Sequence, residues 1–184
     1  MESTSALLIS SIVLCIAIAL SLVALAVLAV LLYTKVPFVR TPKQAIDRIL
    51  REIVINREDT VYDLGCGNAR FLLEVEKRTG AQAIGFELSP WAYVLAKLNV
   101  LFRRSNVQVR YGDFYRGNIN DADIIFCFLI DSVMPKVQQL LERQLKPGTI
   151  VISFAFPITA WKPIKKFPSR QNDPKSSKIY IYQR

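Results

Sequence analysis

Three acidic side chains, Asp63, Glu87 and Asp113, stand at the ends of three successive predicted strands. The first opens the segment Asp63–Ala69, whose two glycines let the backbone approach a ligand closely. In an open α/β sheet, ligands bind outside the carboxyl ends of the strands. The carboxylate after the second strand can accept two ribose hydroxyls, and the third is followed by an aromatic ring, Phe114, suited to an adenine. Three carboxylates so placed suit a cationic ligand without phosphates better than a pyrophosphate.

Two simpler explanations of the glycine segment compete with this prediction. A dinucleotide-binding loop, G-x-G-x-x-G/A, needs glycine or alanine at position 70, where Arg70 stands. An ordinary turn between a strand and a helix would explain the glycines alone. It would not explain acidic residues after the second and third strands, so we favour the ligand site.

An alternation of strands and helices positions these residues. It predicts an α/β fold with a doubly wound, mostly parallel sheet, Rossmann-like in type. The helix that starts with Ser89 as N-cap carries Trp91, Val94, Leu95 and Leu98 on one stripe, which we expect to pack as a helix face. The predicted strands are Thr60–Leu64, Ala81–Glu87, Val107–Tyr111, Ile124–Leu129, Thr149–Phe156 and a last strand Lys178–Gln183 that could pair with Trp161–Phe167; the other predicted helices are Ala69–Thr79 and Ser132–Leu145.

The N-terminal segment predicts a transmembrane anchor. Ala6–Leu32 is almost entirely aliphatic, and a helix of that length measures about 40 Å, enough to cross a hydrocarbon core of ~30 Å. A cleaved signal peptide, the alternative, needs a basic start and a shorter apolar core. We therefore predict an anchor over residues 1–34, a linker and leading helix over 35–59, in which Thr41 caps the helix, and a cofactor-binding domain over 60–184.

Charge next to this segment predicts its orientation. No basic residue lies on its N-terminal side. Five lie on its C-terminal side: Lys35, Arg40, Lys43, Arg48 and Arg51. The positive-inside rule then puts the N-terminus outside and the domain in the cytoplasm of a single-pass cell-membrane protein, or at the inner mitochondrial membrane in a eukaryote.

The overall composition limits which binding partners and which catalytic groups we expect. The net charge is +9, and after Glu2 the chain carries 24 basic against 14 acidic residues. A tethered domain of this charge should lie against anionic lipid. Nucleic acid would share the charge, but no motif supports it, so we expect no nucleic-acid partner. The chain has no histidine, which removes the commonest general base and most metal-site designs, and we expect no metal.

The motifs resemble a known enzyme family. Asp63–Ala69, Glu87 and Gly112-Asp113-Phe114 are similar to the cofactor motifs of class I (seven-β-strand) methyltransferases. A more specific resemblance, to small membrane-anchored lysine methyltransferases, covers residues 36 to 161. Mitochondrial members of that family act on the c subunit of ATP synthase or the adenine nucleotide translocase. The segments that carry this resemblance are Val36–Pro42, Asp63–Arg70, Gly85–Trp91 and Phe156–Ile158 with Trp161.

This resemblance implies S-adenosyl-L-methionine as cofactor and direct methyl transfer to an amine. It implies that the cofactor is bound by Asp63, Leu64, Gly65, Cys66, Gly67, Asn68, Glu87, Leu88, Asp113 and Phe114. On the acceptor side, Asp131 could orient the amine or accept its proton, and it could instead cap the helix beginning at Ser132 or Val133. Phe156, Pro157 and Trp161 could form the wall of the acceptor channel, or simply pack strand five against the chain end.

Three functions are compatible with these features. The first is a protein-lysine N-methyltransferase acting on a membrane protein. The second is a methyltransferase acting on a lipid headgroup or a membrane-soluble small molecule. The third is a membrane protein that binds the cofactor without catalysis, against which the complete set of carboxylates argues.

Overall fold

A computed structural model describes the backbone of residues 2–33 and 39–184, and the side chains of residues 10–25 and 39–184. The chain divides into two compact units, Met1–Pro37 and Phe38–Arg184. The first unit contains one helix, α1 (Glu2–Tyr33), and its described apolar side chains are exposed. Within the described residues, no helix combines the length and the apolarity needed to cross a membrane. The predicted span Ala6–Leu32 extends beyond the described side chains, and residues 35–38 of the predicted linker lie outside the described residues, so the anchor stays a prediction.

The second unit is built on a seven-stranded sheet in the order β3-β2-β1-β4-β5-β7-β6. The first five strands are parallel, and β7 runs antiparallel to both β5 and β6. The predicted doubly wound, mostly parallel sheet is confirmed, as is the terminal hairpin. The elements are α2 (Lys43–Glu52), β1 (Thr60–Leu64), α3 (Arg70–Thr79), β2 (Gln82–Glu87), α4 (Pro90–Phe102), β3 (Gln108–Tyr111), β4 (Ile124–Cys127), α5 (Met134–Gln144), β5 (Ile150–Phe154), β6 (Lys165–Arg170) and β7 (Asp173–Gln183).

Helices cover both faces of this sheet, so each face has its own apolar core. On one face, the cluster includes Ile46 of α2, Leu72 of α3 and Ala96 of α4. On the other face, Val137 and Leu141 of α5 pack against the strands. The central strands are buried on both sides, as expected for a parallel sheet between helix layers.

The leading helix α2 is part of the sheet unit. Ala45, Ile46 and Ile49 are fully buried in the core, and Glu52 forms an ion pair with Lys165 at the start of β6. The predicted cap at Thr41 is wrong: α2 begins at Lys43, Pro42 occupies the N-cap position, and no side chain caps the helix. The Pro42 carbonyl instead accepts the backbone N–H groups of Ala45 and Ile46.

The expected packing of α4 is also wrong. Its fully buried residues are Ala92 and Ala96, whereas Trp91, Val94 and Leu98 of the predicted stripe are 43, 46 and 41% exposed. The small alanine side chains let the helix approach β2 and β3 closely, and the larger side chains then point away. The predicted cap is confirmed, since Ser89 Oγ accepts the N–H of Ala92.

Candidate cofactor site

The glycine loop between β1 and α3 adopts left-handed backbone conformations. Gly65, Gly67 and Ala69 have φ of 93°, 56° and 61°. The loop is fixed to the neighbouring strand because the N–H groups of Gly65 and Cys66 both donate to the Phe86 carbonyl, at 3.0 and 2.8 Å. Glycine adopts such conformations without steric cost, which explains the residue types at two of the three positions.

Gly85 in β2 allows the loop to lie this close. A Cβ atom at Gly85 would lie 2.6 Å from both Cβ and Sγ of Cys66 and 2.7 Å from Leu72 Cδ1. The strand under the loop therefore requires glycine. Sequence reasoning did not assign this role, although a glycine inside a predicted strand is a known sign of close backbone approach.

Glu87 is held in place by two backbone donors. Its Oε2 accepts the N–H of Gly67 at 2.8 Å, and its Oε1 accepts the N–H of Ser89 at 2.8 Å. A carboxylate offers about four lone-pair positions, so acceptor capacity remains for ribose hydroxyls. The glycine loop and the start of α4 thus orient the predicted ribose-binding carboxylate before any ligand arrives.

Asp63 is a buried carboxyl without a full set of partners. The residue is 3% exposed, and its Oδ1 has no hydrogen-bond partner among the described residues. Burial, and secondly the charge of Glu87, raise the pKa of Asp63 well above its usual range. A buried oxygen without a partner next to a second carboxylate is suited to a ligand that brings positive charge or a hydrogen-bond donor.

Asp113 and Leu88 border a cavity of about 560 Å³ at the ends of β2 and β3, together with Phe86, Tyr111, Gly112, Arg116 and Gly117. Asp113 Oδ1 accepts the N–H of Tyr115, which leaves the other oxygen available. Leu88 is 62% exposed and can form an apolar wall. Phe114, expected beside an adenine, packs against the core and lies 4.3 Å from the Tyr115 ring.

The remaining predicted cofactor residues are held by contacts within the protein, and their role toward a cofactor stays a prediction. Leu64 is fully buried in the core, and the carbonyl of Asn68 accepts the side-chain N–H of Asn99 at 3.0 Å. Burial is the main cause that raises the pKa of the Cys66 thiol, so the thiol is not suited to act as a nucleophile.

Asp131 lies on the loop after β4, which passes close to the glycine loop. Leu129 Cδ2 is 3.2 Å from where a Cβ of Gly65 would stand. Asp131 is exposed and begins a short 3₁₀ turn, and its side chain makes no capping bond. The next helix, α5, begins at Met134 and is likewise not capped by a side chain. The alternative that Asp131 caps a helix is therefore wrong, and its role toward an acceptor stays a prediction.

The three predicted residues after β5 differ in their surroundings. Phe156 is partly buried, and its carbonyl accepts the hydroxyl of Ser153, whereas Pro157 is exposed. Trp161 packs edge-on against Tyr182, and its Nε1–H donates to Glu142 at 3.0 Å. Trp161 therefore contacts the last strand, β7, and helix α5, and the acceptor-channel role of all three residues stays a prediction.

These features fit S-adenosylmethionine. Asp63 would hold the cationic end, Glu87 the ribose, and the cavity beside Leu88 and Asp113 the adenine. All of these groups lie at the carboxyl ends of β1, β2 and β3.

The chain is similar to known methyltransferases. The ANTKMT methyltransferase domain family matches residues 63–165. A protein-lysine N-methyltransferase of Saccharolobus islandicus (strain REY15A) is 30% identical, and the match covers 80% of this chain and 92% of that protein. The adenine nucleotide translocase lysine N-methyltransferase of Mus musculus is 28% identical, over 71% of this chain and 57% of the mouse enzyme. The chain thus spans little more than half of that mammalian relative.

A solved structure is also similar. An RNA methyltransferase from Salinibacter ruber, crystallised with S-adenosyl-L-homocysteine, superposes with a TM-score of 0.73 at 30% identity, over 79% of this chain and 93% of that one. The family match covers more than half of the chain, and the similar solved structure supports the same fold. The chain therefore belongs to the ANTKMT methyltransferase domain family and is an S-adenosylmethionine-dependent methyltransferase.

Proposed function

We propose that this enzyme is a protein-lysine N-methyltransferase whose acceptor is a membrane protein. The observation that carries the proposal is the buried, incompletely bonded Asp63 beside a pre-oriented Glu87, a site for a cationic adenosyl donor. The acceptor class is supported by the relatives, which are named as lysine methyltransferases. The names of the vertebrate relatives specify the adenine nucleotide translocase and the c subunit of ATP synthase.

The chain itself suits an amine acceptor that needs little base catalysis. Bound at this site, the cofactor supplies an activated methyl group on a sulfonium sulfur. A lysine with a free pKa near ~10.4 must lose its proton at a cost of about 4–5 kcal/mol at neutral pH. Burial of the amine beside a positive charge lowers that cost. The protein then needs mainly to orient the amine, for which Asp131, exposed on the loop beside the glycine loop, is the candidate.

We further propose that the chain is membrane-anchored through its N-terminal segment, with the N-terminus outside and the enzyme domain in the cytoplasm. Supporting observations are the aliphatic sequence of Ala6–Leu32, the exposed apolar side chains of α1 within residues 10–25, and the basic residues that follow. Tethering raises the local concentration of membrane acceptors and restricts which lysines can be reached.

One labelling experiment tests the acceptor class. The purified full chain is incubated with methyl-tritiated S-adenosylmethionine and membranes from a strain that lacks it, and label is counted separately in protein, lipid and RNA. We expect label in a membrane protein and, by mass spectrometry, on lysine. The Asp63→Asn variant is the control for other methyltransferases in the membranes. Label confined to lipid would favour the headgroup alternative, and label confined to RNA would favour the activity named for the Salinibacter ruber structure.

A further inference from the structure

Helix α4 presents a continuous apolar face to solvent. At about 100° per residue, its five large exposed side chains fall within an arc of roughly 100°. Lys97 lies at the edge of this arc, and the opposite side of the helix holds the buried Ala92 and Ala96. We call this face the α4 stripe; it consists of Trp91, Val94, Leu98, Leu101 and Phe102, which are 43, 46, 41, 68 and 78% exposed.

Packing within the enzyme domain does not account for the α4 stripe. The helix meets the core through the buried Ala92 and Ala96 and the partly buried Tyr93 and Val100, so the stripe lies outside the contact of α4 with the core. Singly exposed apolar residues are common on protein surfaces, but a contiguous exposed patch with a polar rim marks an interaction site. A tryptophan, a phenylalanine and three aliphatic side chains on one helical face require an apolar partner.

A cationic cleft adjoins the C-terminal end of the stripe. Arg103 and Arg104 follow Phe102 directly and, with Arg57 and Lys77, line a cleft of about 570 Å³. The acidic residue in its lining, Glu76, already accepts hydrogen bonds from the hydroxyl of Ser105 and the N–H of Asn106. Four cationic side chains outnumber this one carboxylate, and although Arg103 also pairs with Glu74, the cleft keeps a net positive charge and is suited to a phosphate group.

We propose that the α4 stripe and this cleft together are a docking surface for an anionic lipid bilayer. The apolar side chains enter the boundary between headgroups and acyl chains, and the cleft receives a lipid phosphate. Helices that lie in a bilayer surface combine the same features, an apolar face with tryptophan, phenylalanine and leucine beside lysine and arginine. RNA would match the cations but not the aliphatic Val94, Leu98 and Leu101. A second copy of the chain would bring the same positive charge.

Docking in this way would bring the cofactor site to the bilayer surface. Ser89, the N-cap of α4, is two residues after the predicted ribose-binding Glu87, and the exposed Leu88 lies between them. An acceptor lysine at the membrane surface would then be within reach of the strand ends. The inference rests on the membrane association proposed above and identifies the surface that contacts the lipid.

The two tryptophans of the chain permit a direct test. Trp91 lies on the stripe, whereas Trp161 packs on the opposite face of the sheet. The full chain is prepared as Trp161→Phe, which leaves Trp91 as the fluorophore, and as Trp91→Phe, which leaves Trp161 as the matched control. Each is added to phosphatidylcholine vesicles containing about a third phosphatidylglycerol and brominated acyl chains. Since interfacial helices bury their apolar face about 5–10 Å deep, we expect roughly half or more of the Trp91 emission to be quenched and the Trp161 emission to change little.

Surface variants identify the groups responsible. Two double variants should each reduce the quenching of Trp91 several-fold. One combines Leu101→Gln with Phe102→Gln, and the other combines Lys97→Glu with Arg104→Glu. The control variant Ile164→Gln changes an apolar, exposed residue beside β6, the edge strand opposite β3, and should not reduce the quenching. Circular dichroism and cofactor binding check that each variant is folded.

The outcomes separate this inference from the function proposed above. Quenching of Trp91 alone supports the docking surface. Equal quenching of both tryptophans, or vesicle binding without quenching, overturns the docking surface but leaves membrane association intact. Failure to bind vesicles overturns both. Shielding of Trp91 that depends on protein concentration without vesicles would assign the face to a second copy and overturn the lipid assignment.

Discussion

Asp63 combines a requirement of function with a cost in stability. The carboxyl is buried, one of its oxygens has no partner in the described structure, and Glu87 repels its charged form. A buried polar group without its hydrogen bond destabilises a fold by about 1–3 kcal/mol. The site therefore keeps an unfavourable group that a ligand bringing positive charge or a hydrogen-bond donor would satisfy.

Replacing this carboxyl should separate binding from stability. We expect Asp63→Asn to weaken S-adenosylmethionine binding about 10- to 100-fold, since interactions with charged groups are worth about 1.5–3 kcal/mol. We also expect the free protein to become more stable near pH ~8, because asparagine removes the buried negative charge that Glu87 repels. Calorimetric titration and urea unfolding measure the two effects. The exposed Asp131→Asn is the control and should leave cofactor affinity unchanged; a variant of Asp63 that binds normally would contradict the site.

The raised pKa of Asp63 also predicts a proton linkage. Because the folded value exceeds the unfolded one, Asp63 favours the fold at pH below the unfolded pKa, and this contribution is lost as the pH rises through the folded pKa. The stability advantage of Asp63→Asn should therefore be larger near pH ~8 than near pH ~5.5.

Cofactor binding should follow the same equilibrium. A cation prefers the ionised carboxylate, so affinity should rise with pH and binding should release a proton from Asp63. Titrations in buffers of different ionisation enthalpy measure that proton, which should disappear in Asp63→Asn. Binding heats independent of the buffer in the wild type would show that Asp63 is already ionised.

At the scale of elements, the close packing of the glycine loop against β2 depends on Gly85. An added Cβ would meet Cys66 at 2.6 Å in a buried position. We expect Gly85→Ala to lower the free energy of unfolding by about 1–3 kcal/mol, as overpacked cores do, and to weaken cofactor binding.

A double-mutant cycle tests this cause. Cys66→Gly removes both clashing atoms of that residue, so the further cost of Gly85→Ala should be smaller in that background. Denaturant unfolding of the two single variants and the double variant gives the coupling energy. Costs that simply add would show that the contact with Cys66 is not what makes glycine necessary.

Strand ends were easier to predict than helix faces. The carboxylates Asp63, Glu87 and Asp113 were predictable because apolar strands bounded by glycine segments fix where parallel strands end. The hydrogen-bond partners of those carboxylates were not predictable. For example, the hydrogen bonds from the N–H groups of Gly67 and Ser89 to Glu87 depend on how the loop packs against β2.

Helix α4 shows most clearly what the sequence could not predict. Its apolar periodicity identified a face correctly, but periodicity does not say whether that face meets the sheet or something outside the domain. The alanines that allow close approach to β2 and β3 decided the packing. The predicted cap of α2 was wrong because the helix begins one residue later than expected, so Pro42 and not Thr41 occupies the N-cap position.

At the scale of the whole molecule, our proposal divides function between the two units of the chain. The unit Phe38–Arg184 contains the complete carboxylate site and a core on both faces of its sheet. The unit Met1–Pro37 contributes no described residue to that site. Its proposed contribution is to determine which acceptors the enzyme meets.

This division predicts a selective effect of truncation. A variant that begins at Val39 should bind S-adenosylmethionine with unchanged affinity, because every predicted cofactor residue remains. Its methylation of a membrane-embedded acceptor at low enzyme concentration should fall about 100-fold or more, since tethering gains of 10²–10⁴ arise from effective concentration alone. Attaching an unrelated transmembrane helix to the truncated domain is the matched control and should restore most of the rate. Initial rates on reconstituted acceptor membranes measure the effect, and a truncated enzyme as fast as the full chain would show that the N-terminal unit does not select the acceptor.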